Sequence, residues 1–325
     1  MPANLTPEYL AADRKFKAAT TPQAKLAALE EMLAVIPKHK GTEKMQADLK
    51  RRIARLRQET QRRRGAARAR PFYHVDREGA GQIALVGGPN AGKSSLLAAL
   101  TNASPEIADY PFTTRVPLAG MAAFEDVPIQ LVDLPPVSPE VAEGWLYALI
   151  RGADGALVVV DLADPDLLSS TEQVLALLAA GGVEIIPPEA SRGPRQTPGL
   201  FVAAKLDAPG ARDALEIFKE FYGGRLPVLP VSAEQDVNLS ELRREMFRLL
   251  GKIRVYSKKP GGKPDLDVPF ILPAGTTVQD AAAAVHKDFA EHLRYARLWR
   301  QGEYDGQMVG RDHVLRDRDV LELHA

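Results

Sequence analysis

The chain has no cysteine in 325 residues, which excludes disulfides, thiolate metal sites and cysteine nucleophiles and suits a reducing compartment. It has no net charge either. Its 42 basic residues balance 42 acidic ones, so the molecule as a whole offers no electrostatic pointer to a polyanion. No apolar run approaches membrane-spanning length, and the N-terminus lacks the apolar stretch of a secretory signal. The expectation is a cytoplasmic protein with no membrane partner. No internal repeat is present. The histidines lack metal-ligand spacing: His286 and His292, on one expected helix, are about 1.7 turns apart and fall on different faces. The length predicts two or three domains.

Against these absences stands one segment, Gly87-Gly88-Pro89-Asn90-Ala91-Gly92-Lys93-Ser94, which fits G-x-x-x-x-G-K-[ST]. Ile83-Ala84-Leu85-Val86 before it reads as a strand, and Ser95-Leu96-Leu97-Ala98-Ala99-Leu100 after it reads as a helix. Glycines let the backbone curl so that several N–H groups face phosphate oxygens, and the helix N-terminus favours an anion. Lys93 adds charge near the β/γ-phosphates, and Ser94 offers a hydroxyl to Mg²⁺. Gly87 through Ser95 are therefore the expected contacts of a nucleoside phosphate.

Further motifs follow in order. Tyr110-Pro111-Phe112-Thr113-Thr114 holds a threonine able to reach Mg²⁺ and the γ-phosphate, with Thr114 preferred over Thr113. Leu131-Val132-Asp133-Leu134-Pro135-Pro136 ends an apolar strand on a carboxylate suited to Mg²⁺. In Ala204-Lys205-Leu206-Asp207, Asp207 can accept both N–H donors on the guanine edge while the Lys205 stem stacks over the ring. Ser232-Ala233, after the last strand, offers backbone N–H groups to the base's carbonyl. Together these specify guanine over adenine, and an adenine nucleotide is a remote alternative. Glu140 and Glu143 read as a solvated helix start or as aids to water positioning.

From Gln82 to about Gly251 strands and helices alternate, predicting a mostly parallel sheet with helices on both faces. The expected strands are Ile83–Val86, Leu118–Phe124, Ile129–Leu134, Ala156–Asp161, Leu200–Ala204 and Val228–Val231, with a hairpin turn at Val127-Pro128. The expected helices are Pro139–Arg151, Pro165–Ala180, Pro209–Tyr222 and Leu239–Leu250. Gly181–Gly199 reads as a Pro/Gly loop. Upstream, three helices are expected: Pro7–Ala19, Pro22–Ile36 and one from Thr42 with an apolar stripe at Leu49, Ile53 and Leu56. Between Lys50 and Arg70 lie ten basic residues and one acid, Glu59. That run is either a solvated helix face or a phosphate-backbone contact, RNA rather than DNA. Lys258–Pro264 reads as a domain boundary. Beyond it, strand-like ends flank a helix over Thr277–His292, a small α+β module of ubiquitin-like size. Tyr295, Leu298 and Trp299 read as its core in preference to a partner surface.

In this order the motifs resemble a translation-factor-class GTPase of the Obg group and its developmentally regulated branch. The final segment, about Asp265 to Ala325, resembles a TGS domain, and Val255–Gly261 and Gly310–Val320 resemble that branch's C-terminal sequence. The resemblance implies an α/β P-loop GTPase domain at 79–252, a basic helical arm at 1–78 and a TGS domain at 265–325. It implies GTP/GDP and Mg²⁺ as ligands, Ser94, Thr114 and Asp133 as metal-contacting residues, and Lys93, Thr114 and Asn90 as catalytic ones. The expected partner is the ribosome or a structured RNA, docked through residues 50–70 and the TGS domain.

Three departures matter. Pro136 stands where relatives have a glycine whose N–H follows the γ-phosphate; proline has no N–H and a locked φ. Val137 stands where Ras-like enzymes carry a water-orienting Gln, so intrinsic hydrolysis is expected to be slow. Relatives with an apolar residue there use a monovalent cation held by an Asn matching Asn90, so K⁺ dependence is an expectation. Ala204 replaces an Asn that ties base to phosphate loop. One or two hydrogen bonds of about 1 kcal/mol are lost, weakening nucleotide affinity about five- to thirtyfold, into the micromolar range. The alternative to a slow GTPase is a hydrolysis-poor, GTP-dependent binding scaffold.

Overall fold

The computed structural model describes residues 9, 12, 15–16, 22–36, 42, 45–53, 73–101 and 116–324. The chain divides into two compact units, Met1–His74 and Val75–Ala325. In the first, helix α1 (Pro22–Val35) and helical residues 45–53 share an apolar core of Leu29, Met32, Ile36, Leu49 and Ile53. Leu49 and Ile53 are two members of the expected stripe; the third, Leu56, lies outside the described residues. Of the first expected helix only residues 9, 12, 15 and 16 are described, and all four are helical. Of the basic run, Lys50, Arg51 and Arg52 are described and exposed, with Arg52 paired to Asp48 at 2.9 Å.

The second unit opens with β1 (Gln82–Val86), α2 (Lys93–Leu100), β2 (Leu118–Phe124), β3 (Val127–Asp133), α3 (Gly144–Gly152) and β4 (Gly155–Asp161). It continues with α4 (Leu167–Ala180), β5 (Glu184–Ile186), β6 (Gln196–Ala204), α5 (Ala211–Tyr222), β7 (Val228–Pro230) and α6 (Leu239–Leu249). The seven strands run β2-β3-β1-β4-β6, with β5 and β7 each pairing with part of β6. Only β2 is antiparallel to its neighbour. Central strands such as β1, buried at every position, are continuous apolar runs because both faces are covered. One face packs on α3, α4 and α5, the other on α2 and α6. The parallel strands end along one edge, where such sheets place their ligands.

Three local expectations shift. The β2–β3 turn is Glu125-Asp126, and Val127-Pro128 lies within β3. Proline fits there because Pro128 precedes the first β1 pair, Gln82 with Gln130, while its carbonyl accepts the Ala80 N–H at 2.8 Å. Helix α3 starts at Gly144 instead of Pro139, since the Val141 and Ala142 N–H groups both turn back to the Ser138 carbonyl. The expected 181–199 loop contains β5 and the start of β6, because Val183, Ile185 and Ile186 are buried.

A second sheet follows: β8 (Lys252–Lys258), β9 (Pro264–Pro273), β10 (Tyr295–Arg300), β11 (Tyr304–Val309) and β12 (Asp319–His324), ordered β11-β10-β12-β8-β9. The break expected as a boundary is the β8–β9 hairpin, with Lys258 paired to Pro264, so this sheet begins at Lys252 and not at Asp265. Helices α7 (Val278–Val285) and α8 (Lys287–His292) replace one expected helix, interrupted at His286, whose backbone is extended. Thr277 and Asp280 form a capping box at the α7 start. Leu298 is fully buried in the core of this sheet. Trp299 is half-buried, with Lys258 Nζ 4.3 Å from its ring centroid, and Tyr295 stacks on His324. Among the described residues no helix is long and apolar enough to cross a membrane.

Candidate nucleotide site

The loop between β1 and α2 is tight because two residues take left-handed conformations, Asn90 at φ 56° and Gly92 at φ 95°. Gly87 is required for a second reason: a Cβ there would lie 2.4 Å from the Val159 carbonyl oxygen of β4. Lys93 is buried, and its ammonium donates to the carbonyls of Gly87 (3.1 Å) and Gly88 (2.8 Å). Burial lowers its pKa, while Asp133 pulls the other way. Pro89 and Asn90 form the exposed rim, Ala91 is buried beneath them, and Ser95 is exposed on the first helical turn.

Asp133 ends β3 in register with Leu85, so the sheet itself delivers its carboxylate to the loop. Ser94 Oγ donates to Asp133 Oδ2 at 2.5 Å. The other oxygen, Oδ1, is buried and accepts no hydrogen bond from any described residue. Burial raises the Asp133 pKa, opposed by the Ser94 bond and by Lys93. A half-buried carboxylate with one bare, buried oxygen beside a hydroxyl is an all-oxygen donor set that fits a hard divalent cation. Two of the three expected metal-contacting residues, Ser94 and Asp133, thus come together. Thr114, with the whole Tyr110–Thr114 segment, lies outside the described residues.

At the far end of the same edge, Ala204 closes β6 and Lys205 turns away at φ 61°. Its ammonium pairs with Asp161 Oδ2 at 2.6 Å, which fixes the lysine stem. Asp207 is exposed. The loop is held by Leu206 N–H on the Val231 carbonyl (3.0 Å) and Ala208 N–H on that of Lys205 (2.9 Å). Ser232 is fully buried and serves the fold: its N–H goes to Val237 O at 3.2 Å, and its Oγ accepts the Gln235 N–H at 3.0 Å. Ala233 is then the member of that pair whose N–H bonds no described carbonyl.

Two features escaped the sequence reading. Asp161, the partner of Lys205, could have been noticed as a second carboxylate ending an apolar strand. The Val137 N–H donates to the Gly87 carbonyl at 3.0 Å, and its side chain is buried with Leu134 in the core. This bond ties the segment after Asp133 to the phosphate loop, and no motif spacing announces it. Glu140, expected at a helix start, lies in a turn where a Ser138 bond lowers its pKa. A cavity of about 540 Å³ opens beside the outer side of the loop, lined in part by Pro89, Val137, Glu140 and Val174. Gly88, Asn90 and Ala91 of the phosphate loop also line it, whereas Lys93 and Asp207 do not.

The 50S ribosome-binding GTPase family matches residues 82–186, and the TGS domain family matches residues 253–325. An uncharacterized GTP-binding protein of Methanocaldococcus jannaschii is 29% identical over 356 residues, covering 91% of this chain and 90% of that protein. Developmentally-regulated G-protein 1 of Arabidopsis thaliana is 27% identical, covering 91% and 89%. Ribosome-interacting GTPase 1 of Saccharomyces cerevisiae is 26% identical, covering 94% and 99%. The Schizosaccharomyces pombe YchF GTPase shares the fold at a TM-score of 0.51 and 13% identity, covering 78% of this chain and 100% of that one.

Proposed function

The chain joins a GTPase domain to a TGS domain and is similar over nine-tenths of its length to a developmentally-regulated G-protein, and on that premise we propose a slow, Mg²⁺-dependent GTPase that works on the ribosome or another structured RNA. The observation that carries this reading is the meeting of Lys93, Ser94 and the half-bonded Asp133 at the carboxyl edge of the sheet. Ser94 and Asp133, with Thr114, would hold the cation, which when bound neutralises charge on the β/γ-oxygens. Lys93 leaves two loop carbonyls to meet phosphate, and its desolvated ammonium gains more from an anion than an exposed lysine would. Asp207 selects guanine, and Lys205, held by Asp161, covers the ring.

Slowness follows from the chain's own groups. Pro136 has no N–H to offer a γ-phosphate, and the Val137 side chain is buried where it orients no water. Asn90, on the exposed rim, would hold K⁺ as a substitute source of positive charge. RNA docking is supported by the basic run at 50–70 and by the similarity to a ribosome-interacting GTPase of yeast.

A second reading, a GTP-dependent scaffold with negligible hydrolysis, is favoured by the Val137–Gly87 bond, which holds the region that should respond to phosphate. One experiment separates the two: GTP hydrolysis at fixed Mg²⁺ in KCl and in NaCl, each with and without purified ribosomes. Turnover stimulated by K⁺ or ribosomes supports the GTPase. GTP that binds without turning over in any condition supports the scaffold.

A further inference from the structure

The nucleotide-binding sheet and the TGS sheet meet at one buried arginine. Arg254, in β8, is 3% exposed. Its Nε and Nη2 form a bidentate pair with Asp317, in the turn before β12, at 3.0 and 2.6 Å. Its Nη1 reaches the other domain, bonding Glu125 and, at 3.1 Å, Asp126. The guanidinium also rests against the stacked rings of Phe124 and Phe247, 5.4 and 5.1 Å from their centroids. Tyr256 donates to Asp126 at 2.6 Å, and Arg318 pairs with Glu125.

Two residues of this joint are strained. Glu125 has φ 52° on the hairpin side and Arg318 has φ 69° on the TGS side, and these two side chains bond each other. Non-glycine residues hold such conformations only where the surroundings over-determine them, and they collect at switching elements. Glu125-Asp126 is the closed end of the β2–β3 hairpin. At its open end Leu118 is the register partner of Asp133, the carboxylate of the nucleotide site. One rigid hairpin, paired along β1, therefore has the nucleotide site at one end and the TGS joint at the other.

We propose that Arg254 couples the two domains: the β2–β3 hairpin carries the state of the nucleotide site to the TGS sheet through this clamp. The proposal rests on the guanine-nucleotide reading above. Arginine is needed because a planar fork holds Asp317 with one edge and the hairpin turn with the remaining nitrogen, whereas lysine offers a single point charge.

Hydrogen exchange on the full chain tests it, without nucleotide, with Mg²⁺–GDP and with a Mg²⁺-bound non-hydrolysable GTP analogue. The joint reports through the Arg254 N–H, bonded to Asp317 at 2.7 Å, and the Arg318 N–H, bonded to the Arg254 carbonyl at 2.8 Å. Peptides over 87–95 report nucleotide binding itself. In the native chain, exchange at 252–258 and 316–320 should differ between GDP and analogue by at least about threefold. In Arg254→Lys and Glu125→Gly that difference should vanish while 87–95 still responds. Glycine accepts φ 52° without strain, so Glu125→Gly removes the carboxylate that Arg254 and Arg318 share without endangering the turn. A native joint that ignores the nucleotide while 87–95 responds overturns the proposal, as do variants that keep the response. A phosphate loop that responds to neither nucleotide overturns the nucleotide reading and the coupling with it.

Discussion

The two ends of the β2–β3 hairpin treat their carboxylates in opposite ways. At the closed end, Glu125 and Asp126 are saturated by Arg254, Arg318 and Tyr256. At the open end, half-buried Asp133 has one hydroxyl on one oxygen and nothing described on the other, which is itself buried. The pKa directions record the contrast. Bonds from Arg254 and Arg318 lower that of Glu125. For Asp126 burial pulls upward, and bonds from Tyr256 and Arg254 outweigh it. For Asp133 burial wins and its pKa rises. A carboxylate that the protein itself pairs is holding structure; one whose buried oxygen it leaves bare is held for a ligand.

The contrast is sharpest if the open end can be destroyed functionally without touching the fold. Lys93→Ala should weaken guanine-nucleotide binding by about a hundredfold in a fluorescent-nucleotide titration, since it removes charge-assisted phosphate bonds. Asp133→Asn should remove Mg²⁺ support to a similar degree yet raise the ligand-free melting temperature slightly, because a desolvated charge is gone. A fall in that temperature would break the comparison. At the closed end Asp317→Ala should do the reverse. It strips the bidentate partner from a buried arginine and, allowing for the half-exposed carboxylate, should cost about 2 kcal/mol in urea unfolding. Nucleotide affinity should stay within about threefold. Next in size is a gain. Ala204→Asn should restore one or two hydrogen bonds and tighten GDP binding about five- to thirtyfold by calorimetry, provided the buried position admits the amide.

How much of this could be read in advance depended on distance along the chain. The phosphate loop and Asp133 were legible because their signals are local, glycines at fixed spacing and an aspartate ending an apolar run, although Asp161 carries the second of these signals and was passed over. The β2–β3 turn was misplaced by two residues because Pro128 looks like a turn signal, although the start of β3 tolerates a missing N–H. The Lys258–Pro264 stretch looked like a linker, since Pro and Gly punctuate hairpins and linkers alike. The Arg254 joint had no sequence signature. Its partners lie 128 and 63 residues away, and only the packing of two sheets brings them together. The Val137–Gly87 bond is invisible for the same reason, being made by backbone atoms that carry no residue identity. Ser232 shows a subtler limit: the motif points to the loop after the last strand, but burial assigns that hydroxyl and N–H to the fold.

The smallest predicted effect separates the two ends by acidity. Glu125 and Asp126 have lowered folded-state pKa values, so the stability they contribute is present above the ordinary carboxylate pKa. It is lost only as pH falls through those lowered values. Asp133 has a raised pKa, so in the ligand-free chain its contribution is present at acid pH and is lost as pH rises through that value. A cation needs the ionised form, so protons compete with Mg²⁺ from a higher pH than an ordinary aspartate would allow. On acidification, Mg²⁺-supported nucleotide affinity should therefore decline first, while the joint, followed by exchange at the Arg254 and Arg318 amides, stays closed until lower pH. Glu125→Gln should bring the opening of the joint to a higher pH and leave the affinity profile in place. If both profiles moved together, the hairpin's ends would share one electrostatic environment, and the division between a ligand-facing carboxylate and a structural pair would not hold.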